Sequence, residues 1–202
     1  ILVESVIRSV VVTSLLDPGQ AIFRLRDMTL YTFHWNELGN YIVLGGLCAT
    51  GGVCFTWLLN LVEDAFERLP VQNVFKPLIG GLCLGAIGLV TILVTRGAVR
   101  GEPIIFGKGY AFIGLCIGTA SAERFSGFEL TTSVLLVLMI LKMAATALTL
   151  GSGGSGGVFA PSMFMGATTG YGFGLLVQKA GLFIDVNPVT YSLVGMACLL
   201  AA

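Results

Sequence analysis

Between residues 150 and 166 the chain reads LGSGGSGGVFAPSMFMG, a glycine- and serine-dense break set between two long apolar runs. Both flanking runs have the length and composition of helices, so one helix must stop and another must start inside an apolar layer. The first N–H groups of a helix have no partner within it, and the aligned peptide dipoles place partial positive charge at that end. In a bilayer core these groups cannot turn to water. Irregular backbone persists there only where protein buries it or where it lines a cavity. A helix start in that setting attracts an anion.

The setting follows from composition. Of 202 residues, 55% are hydrophobic and 11% are charged, and mean hydropathy is +0.92. Soluble domains carry about 25% charged residues, so the chain lacks the polar surface that water would require. Its natural partner is the lipid bilayer. Eleven basic residues balance eleven acidic ones, which excludes a basic nucleic-acid surface. The 28 glycines suit membrane helices, where small residues let backbones approach closely. Cys48, Cys54, Cys83, Cys116 and Cys198 all lie in apolar segments and form no C-x-x-C pair. They read as small apolar core residues rather than a disulfide framework, and neither a metal site nor a cofactor is expected.

The chain parses into an all-α, polytopic arrangement of uneven helices. Residues 1–16 form the first, with Glu4 and Arg8 on one face, and Asp17-Pro18-Gly19 stops it. Residues 20–40, with His34 and Trp35, read as an ordered loop outside the bilayer. The spacing predicts a helix over 41–69 that exceeds the ~30 Å hydrocarbon core and must tilt or protrude. Another is predicted over 77–95, where Gly81 and Gly85 form a G-x-x-x-G contact face. Residues 110–120 are apolar but too short to cross alone, which predicts a re-entrant half-span. Helices over 130–150 and 158–180 flank the glycine break. Lys142 lies within the former, and Gly166, Gly170 and Gly174 line one face of the latter. An intramembrane lysine is a functional candidate, set against a structural role in satisfying carbonyls at a broken helix end. Asn187-Pro188 caps and opens a final helix to residue 202. Such uneven lengths favour a transporter-type architecture. The chain opens on Ile1 and ends inside an apolar run, so residues 1–202 are expected to be part of one membrane domain, cut at both ends.

Four chemistries compete for the glycine break. A Walker-type phosphate cradle needs a lysine after its last glycine, and none follows here. An intramembrane serine hydrolase would use Ser155, in Gly153-Gly154-Ser155-Gly156, and would need His34, the single histidine, as its base. A structural reading gives the glycines to helix packing alone, as in a membrane scaffold without transport. The fourth is an anion site: Gly154, Ser155, Gly156 and Gly157 as a nest of N–H groups, Val158 and Phe159 as donors at the helix start, and Ala160 and Pro161 in its first turn. With no adjacent full charge, such a site holds an anion weakly enough to release it.

Gly157-Val158-Phe159-Ala160-Pro161 matches the G-x-F-x-P motif of the CLC chloride channel and chloride/proton antiporter family. The wider run ALTLGSGGSGGVFAPSMFMGA over 147–167 resembles its prokaryotic branch, and YSLVGMACLLAA over 191–202 resembles the helix that follows. VEDAFERLP over 62–70 and FGKGY over 106–110 fit the corresponding connections. The resemblance implies a homodimer in a prokaryotic plasma or inner membrane, each subunit built on an inverted repeat of which this chain holds mostly the second half. It also implies chloride as substrate, protons as a second substrate in the exchangers, and no enzymatic chemistry. The two residues after the motif glycine, here Val158 and Phe159, would donate backbone N–H groups to chloride. The family's central serine loop, gating glutamate and inner-gate tyrosine are expected outside these residues. Arg100-Gly101-Glu102-Pro103 differs from the glutamate motif in residue order and is not assigned to it.

Overall fold

The computed structural model describes residues 37–72, 74–95, 104–118, 130–181 and 186–202. The readings made for 1–36, 96–103 and 119–129, including the first helix and His34, lie outside the described residues. Within the described residues the chain forms six helices: α1 (Leu38–Glu67), α2 (Lys76–Val94), α3 (Tyr110–Cys116), α4 (Thr132–Gly151), α5 (Phe159–Ala180) and α6 (Pro188–Ala201).

Local chemistry sets the ends. The α1 helix starts three residues before the expected position, because the Tyr41 hydroxyl donates to the Glu37 carboxylate at 2.8 Å and ties down its first turn. Thirty residues make it about 45 Å long at 1.5 Å per residue, longer than the bilayer core. Pro77 lies in the first turn of α2, where its missing N–H costs nothing. The α3 helix ends at Cys116 rather than near 120. Gly118 turns left-handed at φ 72° and its N–H closes onto the Leu115 carbonyl at 3.2 Å. Asn187 caps α6 as its sequence predicts, its side-chain oxygen accepting the Val189 N–H at 3.0 Å. Helices α1, α2 and α4 are long and apolar enough to cross a membrane. Ile42, Val53 and Trp57 on α1, and Leu78, Leu82 and Leu93 on α2, remain exposed in this chain, which suits faces turned to lipid.

The α4 helix is the hub, packed against α1, α2 and α5, while α6 lies along α5 and α3 rests on α5. One core gathers Ile105, Phe112, Ile113, Leu138 and Phe164, and another gathers Leu44, Cys48, Phe55, Met165 and Tyr191. The glycine face of α5 works as its spacing predicts. A Cβ at Gly166 would meet the Gly195 carbonyl oxygen at 2.5 Å, and one at Gly174 would meet the Pro188 Cα at 2.8 Å. At Gly170 it would strike the Tyr191 carbonyl itself. The two backbones therefore touch, and the buried Ser192 hydroxyl bridges them by donating to the Ala167 carbonyl at 3.1 Å.

Two expectations are corrected. Gly81 and Gly85 meet no other described atom within 4 Å. The close contacts of α2 fall at other glycines: Gly80 lies against Ser152, and Gly88 lies against the Phe106 ring. The cysteines do not all enter the core: Cys48 and Cys116 are buried, but Cys54 and Cys83 are exposed free thiols.

Gly170→Ala in the complete protein is expected to cost about 1–3 kcal/mol, as overpacking against an unyielding neighbour does. Thermal unfolding in detergent checks it; an unchanged midpoint would contradict the close contact between α5 and α6.

Candidate functional site

The glycine break divides into two halves with different tasks. The first half closes α4. Gly153 adopts φ 87°, a left-handed conformation that glycine takes without strain. Its N–H bonds to the Leu150 carbonyl at 3.0 Å, and the Gly154 N–H bonds to the Thr149 carbonyl at 2.9 Å. This is a Schellman closure, which satisfies carbonyls that a helix end leaves open. The nest expected from successive glycines therefore loses a member, since the Gly154 N–H points back into α4 instead of outward.

The second half opens α5. Its first i→i−4 bond runs from the Ser162 N–H to the Val158 carbonyl at 2.9 Å. The N–H groups of Val158, Phe159 and Ala160 precede that bond and have no acceptor within the helix, and Pro161 has no N–H to lose. Val158 is 47% exposed and Phe159 62%. The break thus satisfies the carbonyls of one helix and presents the donors of the next.

Of these residues Phe159 and Ala160 line a cavity of about 650 Å³. Ser155, Gly156, Gly157, Phe159, Ala160 and Pro161 line one side, whereas Gly154 and Val158 stand off its wall. The segment ahead of α3, from Ile105 to Lys108, lines the cavity too, with Tyr110. Exposed Gly107, Lys108, Ser155 and Gly156 form the rim, and buried Ile105, Lys142, Ala145, Thr146 and Pro161 form the floor. Thr146 and Thr149 also line the space, but their hydroxyls donate back to the carbonyls of Lys142 and Ala145 at 2.9 and 2.7 Å. They show the cavity only acceptor lone pairs. Donors on its described lining include α5 N–H groups, the Ser155 and Tyr110 hydroxyls and the lysines.

Lys142 resolves into a structural tie with an electrostatic consequence. Its ammonium donates to the carbonyls of Ile105 at 2.6 Å and Gly107 at 2.9 Å, and stands 5.5 Å over the Phe164 ring. Phe164 stacks on Phe112 with ring centroids 5.1 Å apart. The carbonyls it satisfies belong to the segment before α3, not to the broken end of α4. No sequence pattern links residue 142 to 105–107; only the packing of α3 on α5 brings them together. Lys108 was likewise absent from the sequence-level site, since an exposed lysine in a loop carries no signal of its own. Ser155 lies on the rim, and its hydrolase reading depends on His34, outside the described residues. Among the described residues, no group of three His, Cys, Asp or Glu side chains gathers to hold a metal ion.

The family model described as voltage gated chloride channel matches residues 1–202. Among curated relatives, the H(+)/Cl(-) exchange transporter ClcA of Vibrio cholerae is 29% identical over 171 residues, which are 83% of this chain and 32% of that protein. ClcA of Klebsiella pneumoniae is 32% identical over 168 residues, covering 83% and 32%. The voltage-gated ClC-type chloride channel ClcB of Citrobacter koseri is 28% identical over 203 residues, covering 99% of this chain and 43% of that protein. The chain thus spans about a third of the length of the first two and somewhat more of the third.

Replacing Lys142 by Met keeps the stem and removes the donors, leaving the Ile105 and Gly107 carbonyls without their partner. About 1–3 kcal/mol of stability per orphaned carbonyl is expected to go. Lys142→Arg, which retains donors, is expected to recover most of it. Unfolding midpoints of both variants check this; a Met variant as stable as the parent would remove the tie.

Proposed function

The chain belongs to the voltage-gated chloride channel family, and on that premise we propose that it supplies one wall of a transmembrane chloride pathway. In this reading an anion is held by the backbone N–H groups of Val158 and Phe159, in front of Pro161, and passes through the cavity shared with the segment before α3. The observation that carries it is the division of the glycine break. Every donor used to close α4 lies upstream of Ser155, while at the start of α5 Phe159 lines, and Val158 directly precedes, a cavity whose charged described lining is two lysines. Partial charges on N–H groups bind an anion without trapping it, which suits conduction.

The names of the relatives add support: all three involve chloride, and they part over whether a proton is exchanged for it. Chloride is therefore the substrate proposed here, with proton coupling depending on residues beyond this cavity. The complete protein works in this reading as a homodimer in a prokaryotic plasma or inner membrane, with one pathway in each subunit. Nothing in the wall calls for a nucleophile. The residues bind, orient and desolvate an ion that leaves unchanged.

Val158→Pro in the complete protein deletes one donor and asks for only a modest backbone adjustment, from φ −88° towards the roughly −65° that proline fixes. A hydrogen bond to a charged group is worth ~1.5–3 kcal/mol, so chloride affinity is expected to fall roughly ten- to a hundredfold. Isothermal titration with chloride reads it. Unchanged affinity in a folded variant would refute the assignment of the donors.

A further inference from the structure

The cavity has a mouth as well as a floor, and the mouth carries a charge with no structural duty. Lys108 lines the cavity and is exposed, as are Ser155, Gly156 and Gly157. Its ammonium stands 5.8 Å over the ring of Tyr110, another lining residue. A cation over an aromatic face is held there by the ring quadrupole, so the charge stays at the cavity wall. Lys142 differs: it is buried and gives two donors to carbonyls. Among the described residues Lys108 makes no hydrogen bond or ion pair, and no carboxylate lines the cavity. The field at the entrance is therefore of one sign and is uncompensated by the described lining. Walls of low dielectric focus such a field and raise the local concentration of the opposite ion.

We propose that Lys108 is the steering charge of this pathway, gathering chloride at the mouth and handing it to the N–H groups at the start of α5. The inference rests on the reading of the cavity as an anion route. It assigns Lys108 to the rate of entry, with the depth of the binding site left to Val158 and Phe159. Lys108 touches the ion only in transit, so its removal changes how often chloride arrives and leaves how tightly it is held.

The test uses the complete protein in liposomes of neutral lipid, with chloride well below saturation so that entry limits the flux. Ionic strength is raised with sodium gluconate from about 0.01 M, where the Debye length is ~30 Å, to about 0.15 M, where it is ~8 Å. At the low value Lys108→Gln is expected to slow chloride flux about two- to threefold and Lys108→Glu roughly five- to tenfold, as loss and reversal of one nearby charge would do. Lys108→Arg should match the parent. At the high value the differences should shrink towards none, and the chloride affinity of the Gln variant by titration should stay that of the parent. Equal fluxes at low ionic strength would overturn the steering role. A deficit that persists unchanged at high ionic strength would overturn it too, since a damaged structure is not repaired by salt. Failure of the pathway reading looks different: Val158→Pro would then bind chloride as the parent does, whatever Lys108 contributes.

Discussion

A peptide chain inside an apolar layer must satisfy its own N–H and C=O groups, and the break between α4 and α5 meets that demand unequally. At the end of α4, Gly153 and Gly154 fold back and close on the Leu150 and Thr149 carbonyls. At the start of α5 no described group folds back. A polar group left unpaired in a low-dielectric interior costs free energy, so this end stays open only because it faces a cavity. The rest of the described fold keeps that open end in place and keeps the cavity beside it from closing.

Two devices hold α5. On one side, its small-residue face meets the backbone of α6 directly, so the pair cannot slide without forcing Gly170 into Tyr191. On the other, Phe164 stacks on Phe112 of α3, and the Lys142 ammonium lies beside the same ring while binding two carbonyls ahead of α3. Dispersion and close packing supply the first restraint, and charge-assisted hydrogen bonds supply the second. The second acts on α5 within two turns of its N-terminus, and the first runs along the turns that follow, from Gly166 to Gly174.

Much of this was legible in the residues. Punctuation such as Asn187-Pro188 and the period-four glycines of α5 encode local geometry and neighbour distance, and the structure realises both. The glycine break announced a helix restart, but not which of its N–H groups the preceding helix would consume. That depends on Gly153 taking φ 87° rather than an extended conformation, a choice glycine leaves open. Gly81 and Gly85 had the right spacing but meet no described neighbour, because a G-x-x-x-G pattern names a possible contact and the neighbours decide where one forms. Lys142 was visible as an anomaly in an apolar helix, yet its acceptors sit some 35 residues upstream. Side chains that meet through tertiary packing leave no periodic trace.

The two walls of the cavity come from segments about fifty positions apart, around 105–110 and 155–161. Lys142 is anchored in α4, which leads into the second wall, and it grips the first wall by its carbonyls. The gap between them is thus gauged by a four-carbon stem. Shortening or lengthening that stem would reset the clearance between the two segments without altering either one, which gives this cavity a dial for its width.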